Sequence, residues 1–143
     1  MLPNVLPRSA DHVSVLADEV RELLAVRPGE TVVDATFGAG GHSRLLADEL
    51  AGRGKLIAID RDPAAKTYFD RLKGHARGLD LRFLRGDFAL VLQQLATNGV
   101  GADAILLDLG ISSMQIDSPE RGFTYATDAP LDFAVSPDGR ALV

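Results

Sequence analysis

Four short apolar segments alternate with helical patterns along this chain, and this alternation restricts its fold more than any other feature. The segments span residues 31–35, 56–59, 81–84 and 104–107. Each is apolar throughout rather than at every second position, which is typical of strands buried on both faces of a parallel sheet. Strands that alternate with helices form such a sheet through right-handed crossovers. The pattern therefore predicts an α/β fold with a Rossmann-like, doubly wound parallel sheet.

Helical patterns fill the intervals between these segments. In the first, over residues 14–26, Ser14 is the expected N-cap and Pro28-Gly29 ends the element. Its apolar residues recur at helical spacing and are Val15, Leu16, Val20, Leu23 and Leu24. The later helices are predicted to begin near His42, at Pro63 and at Phe88.

The regular pattern ends after Asp108. Residues 109–143 are rich in Gly, Pro, Ser and Asp and show no clear periodic element. A length of 143 residues is that of one ordinary domain. We therefore expect a single domain over residues 1–143, with regular β/α units over 10–108 and a loop-rich tail over 109–143.

The composition excludes several classes of protein. The chain has no cysteine, so neither a disulfide framework nor a thiolate metal site is possible. No apolar run approaches the roughly 18 residues of a membrane span. The first twelve residues, MLPNVLPRSADH, lack the apolar stretch of a secretory signal. We therefore expect a cytoplasmic protein.

Charge is distributed unevenly along the chain. The net charge of −5 disfavours a nucleic-acid partner when charge is considered alone. Residues 66–86 nevertheless carry six basic side chains, with Asp70 and Asp80 as the only acids among them. We interpret this stretch as a solvated helix face and loop, and a contact with an RNA backbone is the alternative.

Acidic residues stand at or beside the end of every predicted strand. They are Asp34, Asp60, Asp87 and Asp108. In an open parallel sheet, ligands bind beyond the carboxyl ends of the strands, near the point where the strand order reverses. One such acid could simply cap a helix, but acids after all four strands indicate a shared polar ligand.

A glycine-rich turn follows the first predicted strand. Gly38, Gly40 and Gly41 allow the backbone to turn tightly and to approach a ligand without a clash at Cβ. The N–H groups at the start of the next helix would then face an anionic group. A methionine carboxylate would suit this position as well as a pyrophosphate, and a plain tight turn is the alternative.

Asp60 strengthens the case for a nucleoside ligand. It lies 20 residues after Gly40, at the end of the next strand, where nucleoside-binding folds place the acid that binds the ribose hydroxyls. An ionised carboxylate only accepts hydrogen bonds and therefore suits two hydroxyl donors. Asp62 is better placed to cap the following helix, which leaves Asp60 for the ligand.

Asp87 and Phe88 follow the third strand and could contact an adenine. The ring of Phe88 could pack on the face of the base, with core packing as the alternative. Asp87 could accept a hydrogen bond from the amine of the base, or it could be the N-cap of the next helix.

Five stretches of the chain match a known family. They are H-V-S-V-L (12–16), V-D-A-T-F-G-A-G-G-H-S (33–43), A-I-D-R-D-P (58–63), I-L-L-D-L-G-I-S-S-M-Q-I-D (105–117) and R-G-F-T-Y (121–125). Together they resemble the S-adenosylmethionine-dependent cytosine-N4 methyltransferases of bacterial small-subunit ribosomal RNA, over about residues 10–132. The resemblance implies a class I methyltransferase sheet, of which this chain carries the N-terminal four-strand portion.

The resemblance also implies a reaction and a binding site. S-adenosylmethionine would be the methyl donor, and the acceptor would be a cytidine N4 amine in small-subunit ribosomal RNA or in the assembled small subunit. The family needs no metal. The implied cofactor-binding residues are Gly40, Gly41, His42, Asp60, Phe88, Asp108 and Gln115. The roles of His42 and Gln115 in cofactor binding follow from the resemblance alone. Without it, His42 looks like a residue of the first helical turn.

Asp108 is the expected catalytic residue. It would face both the sulfonium of the cofactor and the incoming acceptor. A carboxylate beside a sulfonium is electrostatically favourable, because the positive charge disappears during methyl transfer.

The chain departs from the family in two ways. Members usually continue for roughly as many residues again, with further strands and an inserted helical domain. After Pro130-Leu131-Asp132, the family normally has Met-Arg-Met-Asp, whereas residues 133–136 here are Phe-Ala-Val-Ser. We therefore expect a truncated chain whose uncovered sheet edge allows self-association.

Three functions are compatible with the sequence. The chain could be the catalytic half of such an enzyme, or a fragment or subunit that binds S-adenosylmethionine without catalysis. A half of an NAD-dependent dehydrogenase is less favoured. Ser43 occupies the sixth position of the turn, where the dinucleotide motif has glycine.

Overall fold

The computed structural model describes residues 14–111, 113–124, 126 and 128. The elements are α1 (Ala17–Leu24), β1 (Thr31–Asp34), α2 (Gly41–Leu50), β2 (Lys55–Asp60), α3 (Ala65–His75), β3 (Asp80–Arg85), α4 (Phe88–Thr97), β4 (Ala104–Leu106) and α5 (Ser113–Ile116), followed by a 3-10 turn (Pro119–Arg121). The strands form one sheet in the order β3-β2-β1-β4, and every neighbouring pair is parallel. The predicted α/β fold with a four-stranded parallel sheet is confirmed.

The two faces of the sheet are covered by different helices. Successive side chains of a strand point to opposite faces, so Val32 and Leu56 lie on one face and Val33 and Ile57 on the other. The first face packs against α2 and α3, and the second packs against α4. None of the helices described here is both long enough and apolar enough to cross a membrane.

An aromatic cluster attaches the glycine-rich turn to the core. The ring of Phe37 lies edge-on to Phe69 of α3 and to Phe83 of β3, with centroid distances of 5.8 and 6.0 Å. Phe69 and Phe83 are themselves 5.3 Å apart. Because Phe37 belongs to the turn and is only 3% exposed, this packing limits the positions that the turn can adopt.

The first helix is shorter than its apolar pattern predicts. It begins at Ala17 because Leu16 has a left-handed backbone with φ of 56°, so Ser14 is not its N-cap. Val20 and Leu24 pack against the core. The other members of the predicted stripe, Val15, Leu16 and Leu23, are exposed. The helix has only eight residues and packs against α2, so it covers a narrow strip of the core, and three of the five apolar residues remain exposed.

Burial differs between the central and the edge strands. All of β1 and β2 is buried, as predicted, except Thr31, Lys55 and Asp60, which are partly buried. The same prediction is wrong for β3, whose residues are exposed or only partly buried, and for β4, where Ile105 is 46% exposed. Both lie at the edges of the sheet, and a short apolar segment does not reveal the position of its strand in the strand order.

Two single turns, α5 and the 3-10 turn, follow β4. The sequence indicated no regular element here, because one turn is too short to produce a periodic pattern. Most of the predicted tail over 109–143, including the departure after Asp132, lies outside the described residues.

Replacing Gly54 with alanine should destabilise the fold by about 1–3 kcal/mol. Gly54 has φ of 120°, and a Cβ there would lie 2.4 Å from the carbonyl oxygen of Glu30. Gly29→Ala is the matched control, because Gly29 also has positive φ, at 99°, but has no atom within 4 Å of the added Cβ. Urea unfolding followed by circular dichroism measures both. Equal losses in the two variants would show that the contact with Glu30 is unimportant.

Candidate functional site

A cavity of about 850 Å³ lies at the carboxyl edge of the sheet. Its walls come from the segments that follow all four strands, together with Ser14, Val15 and the segment after β4. The strand order reverses between β1 and β4, so the cavity lies where an open parallel sheet is expected to bind its ligand. Its volume falls within the range of about 300–1,000 Å³ that is typical of cofactor sites.

The structure brings most of the predicted site residues together. Six of them line the cavity, and these are Gly41, His42, Asp60, Phe88, Asp108 and Gln115. Gly40 is not part of the wall. It has φ of 80°, and a Cβ there would lie 2.7 Å from the ring of Phe37. Gly40 therefore allows the turn to fold over Phe37, while Gly41 lies at the cavity.

Asp60 joins two turns beneath the cavity. Its Oδ2 accepts a hydrogen bond from the Gly38 N–H at 2.7 Å, and its Oδ1 accepts one from the Asp62 N–H at 2.8 Å. Burial raises the pKa of Asp60 above the ordinary value of 3.8, although both hydrogen bonds favour the ionised form. Each carboxylate oxygen can accept more than one hydrogen bond, so Asp60 keeps the capacity to bind ligand hydroxyls.

Asp34 supports the site without lining it. The carboxylate is 1% exposed. It accepts hydrogen bonds from the Ser43 hydroxyl at 2.6 Å and from the Thr36 N–H at 3.2 Å. Burial is the main cause that raises the pKa of Asp34. Because Ser43 belongs to α2, these hydrogen bonds hold that helix and the turn before it against the end of β1.

Asp87 is the N-cap of α4, which was one of the two roles that the sequence allowed for it. Its side chain accepts a hydrogen bond from the Ala89 N–H at 2.9 Å, at the start of α4. Neither Asp87 nor Asp34 lines the cavity. The expectation that all four strand-end acids face one ligand is therefore wrong, because only Asp60 and Asp108 border the cavity.

Asp108 lies at the opposite side of the cavity from Asp60, after β4. Its N–H donates a hydrogen bond to the Thr36 hydroxyl at 2.8 Å, which ties the ends of β4 and β1 together. Its carboxylate is 56% exposed and lies 3.6 Å from His42 Nδ1. The other ring nitrogen of His42, Nε2, lies 2.8 Å from the Val15 carbonyl oxygen. Since a carbonyl only accepts, Nε2 carries a proton in this arrangement, and His42 connects the start of α2 to the segment before α1.

Core packing and a position at the ligand site were alternative predictions for Phe88, and its position in the structure is compatible with both. Its side chain packs against the core on the α4 face of the sheet, and it also lines the cavity. Gly86 precedes it in the wall. Phe88 is therefore held by the core and still borders the cavity.

The basic stretch at residues 66–86 is partly neutralised. Lys66 and Lys73 both pair with Asp70, and Arg82 pairs with Asp80. Such pairs are typical of a solvated surface, and contact with an RNA backbone stays a prediction. Within the described ranges, no group of three or more His, Asp or Glu side chains could hold a metal ion.

Sequence reasoning missed one interaction beside the cavity. The guanidinium of Arg121, in the 3-10 turn, donates two hydrogen bonds to the buried carboxylate of Asp62. Asp62 also accepts a hydrogen bond from the Ala64 N–H at 2.9 Å, within the turn before α3. The N-cap of α3 is Ala64 rather than Asp62, so the predicted capping role of Asp62 is wrong. Arg121 belongs to the R-G-F-T-Y stretch, and no local pattern there predicts a partner 59 residues away.

Comparison with known proteins supports the resemblance. The chain matches the MraW methylase family over residues 9–141. This range continues past Asp132, so the expectation that the resemblance ends there is wrong.

Two curated relatives are named ribosomal RNA small subunit methyltransferase H. That of Rubrobacter xylanophilus is 43% identical over 129 residues, 90% of this chain and 40% of the relative. That of Trichlorobacter lovleyi is 48% identical over 123 residues, 85% of this chain and 39% of the relative.

The chain thus spans about 40% of the length of these curated relatives. Among solved structures, NSun6 from Pyrococcus horikoshii superposes with a TM-score of 0.57 at 20% sequence identity. The superposition covers 77% of this chain and 29% of NSun6. At this identity, the similarity establishes the shared fold.

The variant Asp34→Asn should become more stable relative to the wild type as the pH rises above 3.8. A carboxyl with a raised pKa in the folded state favours folding at low pH, and that contribution is lost as the pH rises through the folded pKa. Asparagine is neutral throughout and can still hydrogen-bond to Ser43 and Thr36. Urea unfolding between pH 4 and pH 8 measures the difference, with Asp87→Asn as a control at a more exposed strand end. A difference that does not change with pH would contradict the prediction.

Proposed function

Because the chain belongs to the MraW methylase family, we propose that the cavity at its carboxyl edge binds S-adenosylmethionine. Family membership also removes the alternative of an NAD-dependent dehydrogenase. The structure of NSun6, which shares the fold, was determined with SFG, an analogue of S-adenosylmethionine. The residues of the cavity fit each part of this cofactor.

The observation that carries the proposal is the position of Asp60. Two backbone N–H groups hold its carboxylate at the cavity, at the end of the strand that follows the glycine-rich turn. This arrangement suits the two hydroxyls of a ribose, because the carboxylate is oriented before the ligand arrives. Phe88, held partly by the core, would pack against the adenine.

The remaining parts of the cofactor have suitable neighbours. The start of α2 carries a partial positive charge and N–H groups without acceptors inside the helix, which suits the methionine carboxylate. Gly40 has no side chain to cap these groups, and Gly41 borders the cavity. The carboxylate of Asp108 would lie near the positively charged sulfur, since it borders the cavity on the β4 side.

We further propose that the reaction is methyl transfer to the N4 amine of a cytidine in small-subunit ribosomal RNA, in the cytoplasm. The names of the relatives support the RNA substrate. When bound, S-adenosylmethionine supplies an electrophilic methyl group. The exposed carboxylate of Asp108 would accept a hydrogen bond from the N4 amine and orient it toward that methyl group. The target base must leave its stack to reach the cavity.

A second candidate is a unit that binds the cofactor without catalysis. The observation that favours it is the edge of β4, where no further strand pairs within the described residues and Ile105 is 46% exposed. The chain also spans about 40% of the length of its relatives. The residues that we assign to the cofactor all lie within this chain, and none of them is assigned to the RNA apart from Asp108. The two candidates therefore share a cofactor site and differ in methyl transfer.

Calorimetric titration with S-adenosylhomocysteine tests the cofactor site. We expect the wild type to bind and Asp60→Asn to bind at least about tenfold more weakly, because hydrogen bonds to a charged group contribute about 1.5–3 kcal/mol. Asp80→Asn is the matched control, since Asp80 is exposed at the start of β3, away from the cavity. NAD should not bind. Equal affinity of the wild type and Asp60→Asn would exclude Asp60 as the ribose ligand.

Nucleoside mass spectrometry distinguishes the two candidates. The chain is incubated with S-adenosylmethionine and with small ribosomal subunits that lack the modification, and large subunits serve as the control. For the catalytic candidate, N4-methylcytidine appears only in the small subunit, and Asp108→Asn reduces its amount. Binding of S-adenosylhomocysteine without methyl transfer would support the non-catalytic candidate instead.

A further inference from the structure

An ion pair joins two segments that are far apart in the sequence, beside the proposed cofactor site. Asp62 lies in the turn after β2, and Arg121 lies in the 3-10 turn that follows α5. Two nitrogens of the guanidinium donate to the two carboxylate oxygens, with Nη2 at 3.2 Å from Oδ1. The carboxylate side chain is 1% exposed, and that of the arginine is 11% exposed.

Burial makes the carboxylate of Asp62 depend on its partner. A buried charge without a partner is strongly destabilising, so loss of Arg121 would leave the carboxylate of Asp62, which is 1% exposed, without the guanidinium that neutralises it. The hydrogen bond with Asp62 raises the pKa of Arg121, and the guanidinium therefore remains charged. A two-pronged contact between a guanidinium and a carboxylate also restricts the relative orientation of the groups, which a lysine could not do.

Both residues of the pair line the cavity, and the pair connects two segments of its wall. On one side, Asp62 donates its N–H to Asp60, the proposed ribose ligand. On the other side, the segment 113–121 ends at Arg121 and contributes Gln115, Asp117 and Ser118 to the cavity wall. Gln115 is 6% exposed, so this wall is packed against the protein rather than projecting into solvent.

We propose that Arg121 is a positioning residue for the cofactor. Its guanidinium holds the segment 113–121 against the turn that carries Asp60, so that Gln115 and Ser118 stand opposite the ribose ligand. This inference rests on the proposed function, because it concerns the affinity of the same cavity. Arg121 acts through Asp62 and through the wall segment rather than through the reacting atoms.

The test compares the cofactor affinity and the local stability of the full chain in four single variants and one double variant. Arg121→Met removes the charge at similar length, and Arg121→Lys keeps the charge without the two-pronged contact. Asp62→Asn keeps an oxygen that can accept from the Ala64 N–H but removes the charge. Arg82→Met is the matched control, because Arg82 is exposed and pairs with Asp80 at the sheet edge. Calorimetry with S-adenosylhomocysteine gives the affinity, and hydrogen exchange without ligand gives the opening of residues 113–122.

We expect Arg121→Met to weaken binding by at least about tenfold and Arg121→Lys to weaken it less, because small displacements of a site have large effects. Amides at 113–122 should exchange faster in Arg121→Met, while those of β2 do not change. The double variant Asp62→Asn/Arg121→Met should lose little more affinity than either single variant, because both remove the same interaction. If Arg121→Met does not fold, Arg121→Lys and Asp62→Asn provide the comparison.

Different outcomes contradict the two proposals. A folded wild type that does not bind S-adenosylhomocysteine contradicts the proposed function, and with it the role of Arg121 in binding. If the wild type binds and folded Arg121→Met binds equally well, the proposed function stands and the positioning role is wrong. A lower melting temperature in Arg121→Met with unchanged affinity would assign Arg121 to stability alone.

Discussion

The site depends on carboxylates that hold the turns at the carboxyl edge of the sheet. Parallel strands end at one edge, so their following turns meet there with N–H groups that have no partner in the sheet. Asp34, Asp60 and Asp62 accept hydrogen bonds from these groups. The hydrogen bond from Asp62 to Asp60 connects the last two. The backbone of the cavity is thereby shaped before any ligand is present, which reduces the ordering that binding requires.

Burial of these acids has an electrostatic consequence. Desolvation raises the pKa of Asp34 and of Asp60, so ionised carboxylates in this region are held against their solvation preference. Asp62 is balanced by Arg121. Asp60 and the more exposed Asp108 face the cavity from different sides and have no equally close guanidinium among the described ion pairs. A cofactor with a positively charged sulfur would find complementary charge in such a cavity.

Sequence reasoning succeeded where a property depends on residues close together in the chain. The buried strands β1 and β2, the glycine-rich turn and the acid at the end of β2 each produce a local pattern, and all were located within one or two residues. It was less successful for α1, because an apolar stripe shows which residues could be buried but not how much of the helix a neighbour covers. It also grouped Asp34 and Asp87 with the ligand-facing acids, since hydroxyl and backbone donors leave no pattern that separates them from a ligand.

By itself, the sequence determined the fold class, the family and the position of Asp60 at a strand end, because alternating patterns and short motifs are properties of neighbouring residues. Only the tertiary structure decided the strand order β3-β2-β1-β4, which strands lie at the edges, and which acids line the cavity. It also decided the contact between Asp62 and Arg121, which are 59 residues apart. These features depend on how distant segments pack, and packing is a property of the whole chain that no local pattern contains.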